Sequence, residues 1–457
     1  MKRIVWMTGA AAATLAILAA QQTDFNIIIK GGTIPTLAVP DFRGDGQSQS
    51  FMTVFNQTLW SDLDGSGNFK MLPKGSYPLN VPQQLSDFKP AQAANRPGSG
   101  GGLAMSDWSS PPTQANYVTV GYAAPQNNLF VVRGWLVDLS IPDPANAGAL
   151  AKTYIESMDE KGARKAAHEF SCDILQRFGA TCLFGSHIYF VRRSGTLKAP
   201  VAEIWSMDPD GKNQRQITHY NALSDFPAVS PDGSKVAFTS WVHGSPEILV
   251  FSTGDPPRPI LFYNQRGASV TASPSFTPDG KQIVFQSSVG GCCGVYIANA
   301  DGSGVHAITT SRSNDAEPKV NPKTGAEVAF SSGRSGPEQL YRMNIDGTDV
   351  ERLTDGTGEA SNPSWHPDGQ FLAYAWTRGY MAGAFNIFVM NVARRDYIQL
   401  THGEGKNENP SWAPDGKHLV FMSDRTGRPQ IWSMLADGTQ QQQLTSEGSN
   451  LHPVWGK

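Results

Sequence analysis

A short phrase returns at a nearly fixed interval along the second half of the chain. It reads PSFTPDG from Pro274, PSWHPDG from Pro363 and PSWAPDG from Pro410. A weaker copy starts at Pro227 (PAVSPDG), a degenerate one at Pro318 (PKVNPKTG) and a truncated one at Pro453 (PVWGK). The leading prolines lie 43 to 47 residues apart. A unit of that size cannot bury its own apolar face, so this period commits the chain to an array whose units pack on their neighbours.

The residues after each phrase repeat as well. A short apolar run comes first (Val236 to Phe238, Ile283 to Phe285, Val328 to Phe330, Leu372 to Tyr374, Leu419 to Phe421). A second run comes after a Ser/Gly turn (Ile248 to Val250, Val295 to Ile297, Leu340 to Met343, Ile387 to Met390, Ile431 to Met434). Most units then carry a DG turn and close on Leu-Thr or Ile-Thr, as at Ile308-Thr309, Leu353-Thr354, Leu400-Thr401 and Leu444-Thr445. Short β-branched and aromatic runs joined by Gly/Asp turns predict a four-stranded antiparallel meander per repeat, the arithmetic of a propeller blade. Three strands (Ile188 to Val191, Glu203 to Met207, Arg215 to Thr218) precede the first phrase, and the last phrase has none after it. The strand around Val454-Trp455 is therefore expected to complete the first blade beside Ile188 to Val191, closing six blades into a ring without open edges.

Residues 1–20 read as a secretory signal peptide, Lys2-Arg3 followed by an uncharged alanine-rich run, with a cut after Ala20. The alternative, an uncleaved anchor, meets a run of 17 residues that is short for spanning a bilayer. The chain carries 37 basic and 40 acidic residues, net −3, and −5 once Lys2 and Arg3 leave with the signal. That balance excludes nucleic acid and anionic membrane surfaces as evident partners.

Residues 34–180 have a different texture. Ile34 to Phe42 and Phe69 to Leu72 read as strands, and Tyr117 to Tyr122 with Leu129 to Leu139 as a hairpin around Gln126-Asn127-Asn128. Ser50 to Leu63 carries Phe51, Val54, Phe55, Leu59 and Leu63 on one helical stripe; Gly162 to Phe178 carries Ala167, Phe170, Ile174 and Phe178. Residues 89–103, rich in Pro, Ala and Gly, read as an insertion. The predicted fold is thus an α/β N-terminal domain followed by an all-β six-bladed β-propeller closed by the C-terminal strand. Its divisions are 1–20, a segment 21–33, the α/β domain 34–180 and the propeller 183–457.

Chemistry-bearing motifs are scarce. No nucleophile elbow, metalloprotease helix, P-loop or dinucleotide fingerprint occurs, so no catalytic residue, metal or cofactor is expected. Asp62-x-Asp64-x-Ser66-Gly67 imitates a calcium loop, but its twelfth place is Pro73 where a bidentate Glu belongs, and a helix end explains the glycines. Cys172, Cys182, Cys292 and Cys293 match no zinc spacing. The first two are open to pairing across a helix end. The second two are free or unusually paired thiols in a blade turn, favoured over a redox function.

An exported α/β domain containing VPDF and DLDGSGNF, a helix reading ARKAAHEFSCDILQRFG, and a six-bladed array of NPSW and PDG phrases together resemble the TolB family. These are the periplasmic propeller proteins of the Tol-Pal system, and the resemblance covers nearly the whole chain beyond the signal. It implies a non-enzymatic, monomeric periplasmic scaffold supporting outer-membrane integrity and constriction at division. A Pal-like peptidoglycan-associated lipoprotein would bind one propeller face. A TolA-like inner-membrane protein would bind the N-terminal strand, here Phe25, Asn26, Ile27, Ile28, Ile29 and Lys30. That strand departs from the family in lacking acidic residues from Phe25 onward.

The loops before each phrase share one propeller face. Their polar residues are the candidate partner surface: His219, Asn221, Asp225, Arg266, Arg312, Asn314, Glu317, Glu359, Asn362, Asn407, Glu408, Asn409 and Asn450. For any one of them, a solvated loop position or a cap of its own turn is the plainer account. Trp365, Trp412 and Trp455 fall mid-strand, and blade packing explains them better than ligand stacking. Two rival classes remain. One is a propeller module of prolyl-oligopeptidase-type peptidases, for which the sequence shows no hydrolase domain. The other is a glycan- or small-molecule-binding propeller using the channel.

Overall fold

A computed structural model describes residues 34–89, 101, 103–196, 199–254, 259–263, 271–289, 291 and 293–457. The described chain divides into two compact units, with the boundary between Phe184 and Gly185. The signal segment, Phe25 to Lys30, Arg266 and Cys292 lie outside the described residues.

In the first unit a sheet runs in the order β3 (Lys70–Met71), β1 (Thr36–Ala38), β4 (Tyr117–Gln126), β5 (Leu129–Asp138), β6 (Gly148–Ser157), with β2 (Arg43–Gly44) also beside β4. The β4–β5 hairpin turns on Asn127 and Asn128, both left-handed (φ 50° and 60°). Such a two-residue turn matches strand twist, and Asn tolerates it. Helices α1 (Met52–Gly65) and α3 (Glu160–Arg177) cover one face of the sheet, burying Phe55, Leu59, Leu63, Phe130, Phe170 and Ile174 completely. The other face is covered by α2 (Met105–Ser109) and its neighbours through Trp108, Phe88 and Val118. The α3 start is fixed by Asp159, whose carboxylate accepts from Gly162 N at 2.7 Å; a Cβ on Gly162 would lie 2.0 Å from Ser157 O.

The calcium-like loop is a helix end. Asp62 accepts from Ser171 Oγ and pairs with His168 Nδ1, each at 2.7 Å, tying α1 to α3. Cys172 and Cys182 form a disulfide. The sequence pattern does not reveal β6. As an edge strand it exposes Lys152, Thr153 and Ile155, so its apolar alternation is too weak to register.

The second unit consists of six four-stranded antiparallel sheets. The innermost strands of blades 2 to 6 are Ser224–Val229, Thr271–Phe276, Asp315–Val320, Ala360–Trp365 and Asn407–Trp412. Blade 1 combines Ser449–Gly456 from the C-terminus with His187–Thr196, Ala199–Met207 and Arg215–Gln216. Trp455 lies opposite Ile188, and Val454 opposite Tyr189.

Each element of the repeated phrase has a physical role here. The Asp of PDG caps its turn, as Asp232 does by accepting from the Ser234 amide and two Ser hydroxyls. The Gly next to it is left-handed (Gly233, φ 72°). Blade 4 replaces this with a turn one residue longer, capped by Asn321. The Ser after the leading Pro reaches the next blade: Ser275, Ser364 and Ser411 accept from the amides of Val320, Trp412 and Trp455. The closing Thr also recurs as an acceptor. Thr218, Thr309, Thr354, Thr401 and Thr445 take the amides of Ile204, Val295, Leu340, Ile387 and Ile431 at 2.9–3.1 Å.

Candidate partner-binding face and central channel

The residue before each leading proline is left-handed in every blade: Phe226, Ser273, Glu317, Asn362, Asn409 and His452, with φ between 45° and 54°. At the same place the innermost strand slips register against its neighbour, a β-bulge repeated six times. Left-handed backbone at a non-glycine residue costs about 1–3 kcal/mol, and such strain collects where side chains must be aimed at a ligand or partner. Here the bulge turns six side chains into the lining of the central channel.

These side chains are linked from blade to blade. Glu317 accepts from Asn362 N and Nδ2, both at 2.7 Å, and from Ser331 Oγ at 3.1 Å; Asn362 Oδ1 accepts from Asn409 N. Across the ring, His452 pairs with Asp225 and stacks on Phe226 with centroids 4.5 Å apart. Burial opposes ionisation of Asp225, yet the His452 charge and hydrogen bond hold its carboxyl below the usual range.

The candidate residues divide sharply. His219, Asn221, Arg312, Asn314 and Glu359 are exposed in the inter-blade loops, and Glu317, Asn362, Glu408 and Asn409 are half-buried at the channel mouth. Asp225, Asn407 and Asn450 do not belong to the exposed surface: they are 8%, 0% and 0% accessible. Asn407 accepts from Arg425 Nη2 and Asn450 from Arg192 Nε, both at 2.9 Å, while buried Asp315 holds Arg334 through both oxygens. Each of these arginines also lies over aromatic rings of its own blade, so in these three blades the residue three before the proline serves as a clamp inside the blade.

The loops between the second and third strands share this face with the inter-blade loops. Thr377 N donates to Glu359 O, Asn407 N to Phe385 O and Asp315 N to Cys293 O. They bring apolar side chains that the sequence pattern does not reveal: Met381 (82% exposed), Tyr380 (38%) and Val289 (45%). No periodicity marks them, because they stand outside the strands. Glu338 is also drawn to this face. Burial, and then the carboxylates of Glu317 and Glu359, push its pKa up to about 7.

Below the bulge the innermost strands enclose a channel cavity of about 450 Å³. One ring of its lining comes directly after the prolines: Ala228, Ser275, Lys319, Ser364, Ser411 and Val454. The next is apolar: Val229, Phe276, Val320, Trp365, Trp412 and Trp455. The three indoles pack the blades as expected, at 5–7% exposure, and wall the channel too. Among the described residues no cluster of His, Cys, Asp or Glu is arranged for a metal ion, and no helix is long and apolar enough to cross a membrane.

The family model of the TolB beta propeller domain matches residues 177–380 and 354–457. A protein TolB homolog of Chlorobaculum tepidum is 30% identical over 266 residues, covering 58% of this chain and 53% of the relative. The Tol-Pal system protein TolB of Cereibacter sphaeroides is 28% identical over 240 residues, 52% of this chain and 49% of the relative. The chain thus spans about half the length of these curated relatives. The crystal structure of TolB from Acinetobacter baumannii superposes with a TM-score of 0.74 at 22% identity, covering 93% of this chain and 97% of that one; the likeness establishes a common fold.

Proposed function

Because the chain belongs to the TolB β-propeller family, we propose that it is a non-enzymatic periplasmic scaffold of the Tol-Pal system whose loop face binds a Pal-type lipoprotein. The observation that carries this reading is the composition of that face. Exposed Met381, Tyr380 and Val289 lie in loops of the same face as exposed Arg312, Asn314 and Glu359. Apolar anchors among polar groups around a rigid, strained rim are the anatomy of a protein–protein interface. Phe25 to Lys30 would carry the inner-membrane contact with a TolA-type protein by strand addition, linking the two sides of the envelope in support of outer-membrane constriction.

The test is titration of the full mature chain with the Pal-type periplasmic domain of the same organism. Arg312→Glu with Met381→Ser is expected to weaken the complex at least about tenfold, roughly 1.4 kcal/mol, at unchanged melting temperature. Deletion of 23–30 is expected to spare this complex and abolish binding of the TolA-type domain. Unchanged affinity in the well-folded double variant would move the site off the loop face.

A further inference from the structure

Five of the six residues directly after the leading prolines are small and uncharged; the sixth is Lys319. It stands where blades 3, 5 and 6 place a serine, on the channel wall. Its ammonium makes no hydrogen bond or ion pair among the described residues. The nearby Glu317 carboxylate acts on it from beyond ion-pair contact, its own oxygens being taken by Asn362 and Ser331. Lys319 is half-buried on the channel wall, and the partial loss of solvent around an ammonium with no ion-pair partner lowers its pKa. Ser275, Ser364 and Ser411 add a second, independent feature at the same level. Each Oγ accepts an amide from the next blade, and no acceptor among the described residues takes its hydroxyl hydrogen. One cation and three available O–H donors therefore line a single ring, directly above a ring of aromatic and aliphatic side chains.

We propose that the central channel binds a carboxylate, its oxygens held by Lys319 and the serine hydroxyls, its apolar body against the tryptophan ring. The carboxylate belongs either to a free small organic acid or to an acidic side chain of a polypeptide reaching into the channel. The assignment does not depend on what docks on the loop face.

The experiment is calorimetric titration of the full mature chain with phenylacetate, with a capped Phe-Asp dipeptide whose only charge is the side-chain carboxylate, and with inorganic phosphate. Phenylacetate is expected to bind with a Kd of about 1 mM or tighter. Lys319→Met and Lys319→Ser are each expected to weaken it at least about tenfold without lowering the melting temperature, since both remove an uncompensated charge. Ser364→Ala with Ser411→Ala should weaken it too. Binding of phenylacetate alone assigns the site to a free acid, and binding of the dipeptide as well assigns it to an acidic side chain. The proposal is overturned if neither carboxylate binds, if binding survives both Lys319 variants, or if phosphate binds more tightly than either.

Discussion

Trp365, Trp412 and Trp455 occupy one position in three blades at 6%, 5% and 7% exposure, yet their indole N–H groups meet different fates. Trp365 Nε1 donates to Lys319 O and Trp455 Nε1 to Ser186 Oγ, both at 2.9 Å, whereas Trp412 Nε1 is buried without a partner. Replacing each by Phe removes the N–H and keeps most of the ring. The packing loss is shared by the three and stays below the roughly 3–5 kcal/mol of full truncation to Ala. At Trp365 and Trp455 the change also removes a hydrogen bond, about 1 kcal/mol each. At Trp412 it removes an unsatisfied donor, which recovers about 1–3 kcal/mol. Trp412→Phe should therefore be the most stable of the three variants by about 2 kcal/mol or more. For a domain near this size that is roughly 4 °C or more in the propeller transition by scanning calorimetry of the full chain. Equal shifts in all three variants, or the largest loss at Trp412, would refute the reasoning.

Two further outcomes are expected from charged groups in the blades. Arg334→Met leaves fully buried Asp315 without its bidentate partner and should cost about 3–5 kcal/mol; adding Asp315→Asn should restore most of it, as a denaturation cycle of the four proteins would show. Glu338 has a folded pKa raised from 4.5 to about 7 by burial and its acidic neighbours, so the native state holds this proton more tightly than the unfolded chain. Its contribution to stability is therefore lost as pH rises from about 4.5 to about 7. The stability of Glu338→Gln relative to the parent should grow across that window, and a constant gap would sink the assignment.

The phrase itself was enough to specify the architecture. A period near 45 residues with turn-forming PDG and closing Thr can be read without coordinates, because capping, left-handed Gly and strand patterning are local chemistry. Closure by Val454-Trp455 was equally legible, since a lone terminal strand and a three-stranded first blade need each other. The site was legible only as a face. Asn407, Glu408 and Asn409 are adjacent in sequence. Yet Asn407 is clamped inside its blade by Arg425, Glu408 is half-buried at the rim, and Asn409 turns into the channel lining. Strict strand alternation would put Asn407 and Asn409 on one side. The bulge between Glu408 and Ser411 breaks that alternation, and it recurs at the same place in the innermost strand of every blade. The same convergence makes Lys319 exceptional. In the sequence it is one lysine in a degenerate copy of the phrase. Only closure of the ring sets it among the small residues of the five other blades, half-buried on the channel wall and out of ion-pair contact with Glu317.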